Sequence, residues 1–280
     1  MNEITRDQWY RNPEVLYNII VASKNRETVF LSKQDKVMTV RNVMANYMDL
    51  LKKNFDAFNF FTRSYNLYYS LATYKKIQLF NFNITTRKGQ REAWNQSAID
   101  NTASFDFGLD FDSEGIEDIM SAWKDCKKVK DFFDDYKVPY TVKFSGSKGF
   151  HITVPSHALP NLRITDDVDD EMSLFNYLKD LATMICLKFE AETLDLGIFD
   201  PRRIWKTDYS WVCETKLITL PLSDEQFEGF TLSLCEPLTV LRAGIRNRGN
   251  LMRQGNRDGF KRMVEEGLGA EWKEINSNYL

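Results

Sequence analysis

The stretch FDFGLDFDSE, residues 105–114, decides how the chain folds and where its chemistry lies. Its first seven residues alternate between apolar and polar, which predicts a β-strand with one buried face. Side chains at positions i and i+2 of a strand point to the same face. Asp110 and Asp112 are therefore expected to project together, while Leu109 and Phe111 enter the core.

The paired carboxylates of Asp110 and Asp112 have two possible explanations. Like charges on one strand face repel each other unless a cation lies between them, and oxygen ligands at this spacing suit Mg²⁺ or Mn²⁺. A pair of such ions could clamp the attacking and leaving oxygens of a displacement reaction. The alternative is two exposed acids on a half-buried strand, and Asp106 on the same face leaves the choice of pair open.

A glycine- and serine-rich turn within FSGSKGFHITVP, residues 144–155, forms the second motif. The flanking segments YTVKF and FHITV predict two short strands. A turn of this composition exposes backbone N–H groups, to which Ser145, Ser147, Lys148 and His151 can add donors for an anion. It is not a Walker P-loop, because GxxxxGK(S/T) is absent and no helix follows. The alternative is a plain hairpin turn with a surface lysine and a core histidine.

The third motif, LDLGIFDPRRIWKTDYS at 194–210, combines an acid after an apolar residue with a basic cluster. The acid is Asp195, and the cluster contains Arg202, Arg203 and Lys206. Guanidinium groups match the geometry of phosphate oxygens, so the segment is a candidate for contact with a polyphosphate. The alternative is a surface loop with scattered charge.

The chain around these motifs predicts helices packed on a mixed sheet. Asn12 followed by Pro13 is typical of a helix start. Apolar residues at helical spacing from Asp35 onward, then dense Phe and Tyr, predict a helix-rich region at about 35–82. Ser113 is expected to cap the helix after the carboxylate strand. Other expected features are a polar loop at 83–103, an acidic loop at 165–171 before another helix, short strands at about 195–220, and two C-terminal helices.

These elements together predict the fold class α/β or α+β, with a mixed β-sheet flanked by helices and a helical N-terminal part. Residues 1–240 are predicted to form one catalytic domain, followed by a basic helical segment at 241–280.

Charge and composition limit the kind of partner that the protein can have. The 280 residues carry a net charge of −3. A nucleic-acid site must therefore be a local basic patch on a molecule that is acidic as a whole. Residues 242–262 hold such a basic cluster, opposed there by Asp258. It predicts contact with nucleic acid or an acidic partner, or else a solvated face. The basic cluster consists of Arg242, Arg246, Arg248, Arg253, Arg257, Lys261 and Arg262.

The four scattered cysteines and two histidines give no CxxC pair, so no structural zinc is expected. Scattered cysteines predict reduced thiols and an intracellular location, cytoplasmic or nucleoid-associated. The polar N-terminus predicts no signal peptide, and no apolar run approaches the ~20 residues of a membrane helix. We therefore expect a soluble protein with no membrane partner.

In their order along the chain, the three motifs resemble those of the archaeo-eukaryotic primase superfamily. LDFD at 109–112 resembles its hDhD motif, and SGSKGFH at 145–151 resembles the turn that ends in its histidine. Residues 194–210 resemble its third motif, an apolar residue and Asp followed by basic residues. RETVFL at 26–31 resembles a stretch near the start of primase small subunits, and the turn with HITVP also resembles the polymerase domain of bacterial end-joining ligases. The resemblance spans about residues 26–222.

The resemblance implies a DNA primase or primase-polymerase catalytic subunit, which would make primers on single-stranded DNA by two-metal nucleotidyl transfer. It implies that two Mg²⁺ or Mn²⁺ ions are held by Asp110, Asp112 and Asp195. The implied partners are the template, nucleoside triphosphates, and a primase large subunit or another replication protein. Nucleotide-binding roles are implied for Ser145, Ser147, Lys148, His151, Arg203 and Lys206.

Two alternatives to a primase stay open at the level of sequence. The first is an end-joining or repair polymerase of the same superfamily, which would prefer gapped ends and require a primer. The second is a catalytically silent subunit that only binds single-stranded DNA. Within the third motif, the family pattern selects Asp195 as the metal ligand over Asp200, which precedes Pro201 and is expected to open a turn.

Overall fold

A computed structural model describes residues 3–32, 39–44, 65–75, 87–162 and 173–269 of the chain. Helices and strands are interleaved along the sequence, which confirms the expected mixed α and β class. The described helices are α1 (Arg6–Arg11), α2 (Pro13–Ala22), α3 (Arg87–Asn101), α4 (Ile119–Tyr136), α5 (Leu174–Phe189), α6 (Asp224–Glu228), α7 (Pro237–Ala243) and α8 (Arg257–Arg262).

The described strands are β1 (Glu27–Ser32), β2 (Thr39–Met44), β3 (Tyr65–Ser70), β4 (Ala72–Tyr74), β5 (Thr102–Phe105), β6 (Phe107–Asp112), β7 (Thr141–Phe144), β8 (Gly149–Val154), β9 (Ile204–Lys206) and β10 (Leu220–Leu222). The predicted helix at α5, the short strands β9 and β10, and the C-terminal helices α7 and α8 are all present. None of the helices in the described ranges has both the length and the hydropathy that a bilayer-spanning helix requires.

The chain divides into two compact units, and each unit is assembled from several stretches of sequence. The first unit draws on Met1–Thr73, Thr141–Ser147 and Ile204–Met252, and the second on Tyr74–Tyr140, Lys148–Arg203 and Arg253–Leu280. The division between Ser147 and Lys148 falls inside the glycine- and serine-rich turn. The sequence predicted a different division, into a catalytic domain at 1–240 and a basic segment at 241–280. That division stays a prediction.

The first unit contains an antiparallel sheet in the strand order β2-β1-β3-β9. Leu67 and Tyr69 of β3 are buried in this unit. In the same unit, β7 and β10 pair in antiparallel. The start of α2 is as predicted, with proline at its first position and Asn12 Oδ1 accepting a hydrogen bond from the Glu14 N–H at 2.9 Å.

The second unit contains the antiparallel pair β6 and β8, which confirms the two strands predicted at these positions. α4 packs against both strands. The apolar side chains of β6 are fully buried, so its acidic side chains project on the opposite face, as the alternation predicted. The register sets Asp110 opposite His151 and Asp112 opposite Gly149. This strand pair therefore brings the first motif against the second.

The helix-rich region expected at about 35–82 is wrong where the structure describes it. Residues 39–44, 65–70 and 72–74 form the strands β2, β3 and β4. β2 pairs with β1 over most of its length, and such long-range pairing outweighs a local spacing that also fits a helix. The other residues of 35–82 and the expected acidic loop at 165–171 lie outside the described residues.

Two further expectations fail just before and just after the carboxylate strand. Residues 83–103, expected to be a polar loop, contain α3 and the start of β5, because a helix with a mostly polar sequence lacks the apolar period that would reveal it. Ser113 does not cap α4. Its hydroxyl lies 2.7 Å from the carbonyl oxygens of both Gly115 and Lys148, and a 3-10 turn at Ile116–Asp118 precedes the helix.

Candidate active site

The two carboxylates of β6 each lie beside a basic side chain from the second motif. His151 Nε2 is 3.1 Å from Asp110 Oδ1, and Lys148 Nζ is 3.3 Å from Asp112 Oδ2. Asp110 is largely covered, with 18% of its side chain exposed, whereas 39% of the Asp112 side chain is exposed. The strand pairing thus produces an alternating arrangement of two acids and two bases at one end of the β6–β8 pair.

The charge of Asp112 is held in an unfavourable environment. Partial burial, followed by the repulsion of the neighbouring Asp110 carboxylate, raises the pKa of Asp112, and the opposing attraction of Lys148 and His151 does not cancel that effect. A site that raises the pKa of a carboxylate in this way favours an added cation, because the cation relieves both the repulsion and the loss of solvation.

Gly149 permits the close approach of β8 to the end of β6. A Cβ at this position would collide with the carbonyl oxygen of Phe111 and lie 2.5 Å from Asp112 Oδ1. The Ser113 N–H also donates to the Lys148 carbonyl at 3.0 Å, which fixes the chain immediately before the glycine. Glycine at 149 is therefore required for Asp112 and Lys148 to lie where they do.

The third carboxylate predicted from the sequence reaches the same strand face from the other side of β6. Phe111 and Leu194 form an isolated antiparallel bridge, and the Asp195 N–H donates to the Asp110 carbonyl at 2.8 Å. Asp195 is thus the cross-strand neighbour of Asp110, and such neighbours share a face. Its side chain is exposed, and its Oδ1 accepts a hydrogen bond from the Gly197 N–H at 2.7 Å.

Asp200 has the structural role that its place before proline predicted. Its Oδ2 pairs with Arg203 Nε at 3.0 Å, and its Oδ1 accepts from the Arg202 N–H at 3.0 Å. The Arg203 guanidinium also donates to the carbonyls of Ile198 at 3.0 Å and Gly197 at 2.6 Å. Arg203 therefore stabilises the turn that follows Asp195 through these hydrogen bonds. The predicted contact of Arg203 with a nucleotide phosphate stays a prediction.

The remaining predicted nucleotide-binding residues belong to the first unit. Ser145 is buried, and its carbonyl accepts from Thr219 Oγ1 at 3.2 Å, while the Ser147 N–H donates to Ser145 Oγ at 3.4 Å. Gly146 between them has φ +78°, a left-handed conformation that suits glycine. Lys206 ends β9, and its carbonyl accepts from Lys143 Nζ at 2.6 Å.

Lys143 was not singled out from the sequence, yet it is central to the first unit. Its side chain is 5% exposed, and its ammonium group lies 3.1 Å from Asp208 Oδ1 and 3.1 Å from the Tyr69 hydroxyl. Together with the bond to the Lys206 carbonyl, this joins β7, which leads into the turn, to the end of β9. An alternating strand pattern predicts which face a lysine occupies but not the buried acid that it meets.

Arg248, counted in the basic cluster, completes this buried group. It donates to Thr141 Oγ1 from Nε at 3.1 Å and from Nη2 at 3.0 Å, and Nη1 donates to the Tyr69 hydroxyl at 2.8 Å. Its Nε is 3.7 Å from Asp208 Oδ2. Burial raises the pKa of Asp208, but Lys143 and Arg248 together outweigh it, so the pKa is lowered overall.

The carboxylates on the β6 face of the second unit have the donor chemistry that divalent metal ions require. Asp110, Asp112 and Asp195 supply carboxylate oxygens on one face, the ligand type that Mg²⁺ and Mn²⁺ prefer. Across the described residues, no three acidic, histidine or cysteine side chains are gathered closely enough to hold an ion as they stand. Asp195 would have to release the Gly197 N–H to join the other two, a rotation that its exposed side chain permits.

The chain matches no protein-family model, and no curated protein matches it. Among solved structures, it is similar to the polymerase domain from Mycobacterium tuberculosis Ligase D in complex with DNA. The similarity covers 94% of this chain and 90% of that one, with 11% sequence identity and a TM-score of 0.48. At this level of similarity, function has to be inferred from the residues of the site itself.

Proposed function

We propose that this chain is a DNA primase or primase-polymerase catalytic subunit, which adds nucleotides on a single-stranded DNA template. The observation that carries the proposal is the placement of Asp110, Asp112, Asp195 and His151 on one strand face of the second unit. Three carboxylates and a histidine in such a row suit divalent ions and a triphosphate better than a purely structural role. The order of the three motifs, which resembles that of primases, supports the same function.

The reaction would be in-line attack of a 3′-hydroxyl on the α-phosphate of the incoming nucleoside triphosphate, with pyrophosphate as the leaving group. Bound Mg²⁺ or Mn²⁺ would supply charge stabilisation for the attacking and leaving oxygens. The chain itself would hold three carboxylates in fixed positions and present Lys148 and His151 as donors to the phosphates. Further phosphate contacts are proposed for Ser145, Ser147, Arg203 and Lys206.

Synthesis on a defined, unprimed single-stranded oligonucleotide tests this proposal, with ribo- and deoxynucleotides supplied separately. New labelled chains from the unprimed template would support a primase. Synthesis from a primer alone, with preference for a gapped end that carries a 5′-phosphate, would support a repair polymerase instead. Template binding with no product in either Mg²⁺ or Mn²⁺ would contradict the proposal and support a silent DNA-binding subunit.

Asp112→Asn should abolish nucleotide addition while leaving template binding nearly unchanged. It removes one metal-binding charge with little change of shape, and because partners of metal ligands already cost ~10–100-fold when mutated, we expect a loss beyond about 100-fold. Primer extension and a fluorescence-anisotropy titration of labelled template measure the two effects. Asp118→Asn, which changes an exposed acid six residues away, is the matched control and should keep its activity.

A further inference from the structure

The segment that carries the third carboxylate has little regular structure of its own. It follows the end of α5 at Phe189, and Glu190 adopts a left-handed backbone with φ +49°. A single bridge at Leu194 then connects it to β6. Backbone hydrogen bonds of Thr193 and Asp195 to β6 flank the bridge. Because these contacts hold so short a segment along one edge only, the position of Asp195 also depends on what holds the residues before it.

Asp125 of α4 holds that segment through Thr193. Its side chain is 11% exposed, and its Oδ2 accepts two hydrogen bonds from Thr193, one from the N–H at 3.1 Å and one from Oγ1 at 3.0 Å. Its Oδ1 pairs with Lys128 Nζ at 3.0 Å, and the same ammonium group donates to the Phe189 carbonyl at 3.0 Å. The acid and the lysine together fix both ends of residues 189–193.

Thr193 links the helix directly to the carboxylate strand. Its carbonyl accepts the Asp112 N–H at 2.8 Å, while its own N–H and hydroxyl point to Asp125. Two residues further on, the Asp195 N–H donates to the Asp110 carbonyl. A displacement of Thr193 would therefore move the backbone beside Asp112. It would also change the orientation of Asp195 relative to β6.

We propose that Asp125 is a positioning residue, which sets the Asp195 carboxylate relative to Asp110 and Asp112 for metal binding. This inference rests on the proposed function, because it assigns a role within the same site. Asp125 lies on α4, outside the group of Asp110, Asp112 and Asp195, and we do not assign it as a ligand. It acts through Thr193, in the way that hydrogen-bonded partners of metal ligands fix the ligand position.

Manganese binding to the full-length protein without nucleotide, measured by titration calorimetry, tests the inference independently of activity. Asp125→Ala removes both bonds to Thr193 and should weaken Mn²⁺ binding about tenfold, the lower end of the range for such partners. Asp125→Asn keeps one oxygen acceptor toward Thr193 and should restore most of the affinity. Equal binding by wild type and Asp125→Ala would overturn the inference.

Three controls separate positioning from a general loss of stability. Lys128→Met removes the ion pair but leaves the bonds to Thr193, and it should change affinity by no more than about threefold, since a half-exposed pair contributes little. Asp131→Ala removes an exposed acid on the same helix and should have no effect. Val129→Ala removes buried volume and should lower the melting temperature without weakening Mn²⁺ binding.

A matching loss of Mn²⁺ affinity in Val129→Ala or Lys128→Met would show that Thr193 contacts are not the cause and would overturn the role of Asp125. A wild-type protein that binds no Mn²⁺ and makes no product would remove the proposed function and this inference together. If Asp125→Ala binds Mn²⁺ and adds nucleotides as well as the wild type does, the positioning role is contradicted and the proposed function still stands.

Discussion

At the scale of single residues, the acids near β6 differ in their hydrogen-bond partners, and these partners indicate which acids could bind a metal ion. Asp106 is buried, and its Oδ1 accepts the Ser156 N–H at 3.0 Å, so it has a structural partner away from the carboxylate row. Asp200 is paired with Arg203 in a turn. Asp195 is exposed beside the backbone of Asp110. A metal ligand needs a fixed backbone and an accessible carboxylate, and of the two candidates in the third motif Asp195 fits both requirements better.

Asp195→Asn should therefore abolish nucleotide addition, and Asp200→Asn should reduce it by a much smaller factor. Both changes are nearly isosteric, so they remove charge and keep most of the hydrogen bonding. The measurement is primer extension across a Mn²⁺ titration, which also shows whether excess metal rescues either variant. An inactive Asp200 variant beside an active Asp195 variant would reverse the assignment of the third ligand.

The buried acid of the first unit predicts a specific dependence of stability on pH. Lys143 and Arg248 hold the pKa of Asp208 below its ordinary value of 3.8. The folded state therefore binds the proton of Asp208 less readily than the unfolded state does. The stabilisation is complete above the ordinary pKa and is lost as the pH falls through the lowered folded-state value.

Asp208→Asn should lower the free energy of unfolding at pH 7 by about 3–5 kcal/mol, because it leaves buried cations without their carboxylate. The deficit should shrink below about pH 4, where the wild-type acid is also losing its charge. Urea unfolding followed by fluorescence from pH 7 to pH 2.5 measures both curves. Parallel curves for wild type and variant would contradict a lowered pKa, and exposed Asp131→Asn supplies the reference.

At the scale of elements, the sequence predicted the two strands that carry the candidate site better than it predicted the elements around them. The alternation in 105–111 and 150–154 identified β6 and β8, because a strand with one buried face must repeat every second residue. The same reasoning placed Asp110 and Asp112 on one face, whereas the position of His151 opposite Asp110 comes from the pairing of β6 with β8. It could not reveal Asp125, whose partner Thr193 lies 68 residues away, although an acid at a buried position of an amphipathic helix was a signal available in the sequence.

The missed elements share a physical cause. Val40, Val43 and Met44 fit the spacing of a helix, but β1 provides a pairing partner that no local pattern contains. α3 buries Ala98 and Ile99 near its end, and the apolar residues along it are too few to produce a helical period. Local spacing decides the structure only where tertiary contacts do not compete with it.

Gly149→Ala should separate β8 from the end of β6 and so reduce both the stability of the fold and the activity of the site. The added Cβ would meet Phe111 and Asp112, and relief of that overlap must displace the carboxylate or the Lys148 turn. We expect a loss of about 1–3 kcal/mol in unfolding free energy, with Mn²⁺ affinity and nucleotide addition reduced severalfold. Melting curves, calorimetry and primer extension measure these effects.

Gly229→Ala is the control for Gly149→Ala. Its Cβ would lie 3.2 Å from the Glu225 carbonyl oxygen, a milder contact in the first unit. Unchanged Mn²⁺ binding in Gly149→Ala would show that β8 tolerates the methyl group and that the close approach does not set the site.

At the scale of the whole molecule, the basic cluster at 242–262 is divided between different roles. Arg248 is 17% exposed and belongs to the buried group of the first unit, so it is a structural residue. Arg257, Lys261 and Arg262 are exposed on α8 of the second unit. With a net charge of −3, the molecule needs such a local patch to attract a polyanion.

The exposed part of this cluster, on α8, should contact the template directly. Truncation before 242 would also remove Arg248, so substitution of Arg257, Lys261 and Arg262 by Gln is the cleaner test. Each lost phosphate contact on single-stranded DNA should lower the slope of log affinity against log salt by about 0.7, or about 2 for three contacts. The control replaces Lys124, Lys179 and Lys188, three exposed lysines of the same unit, by Gln. The two triple variants carry the same net charge, so a long-range effect would change both slopes alike, whereas direct contact would change only the first. A slope that neither variant alters would mean that α8 presents a solvated face to the template.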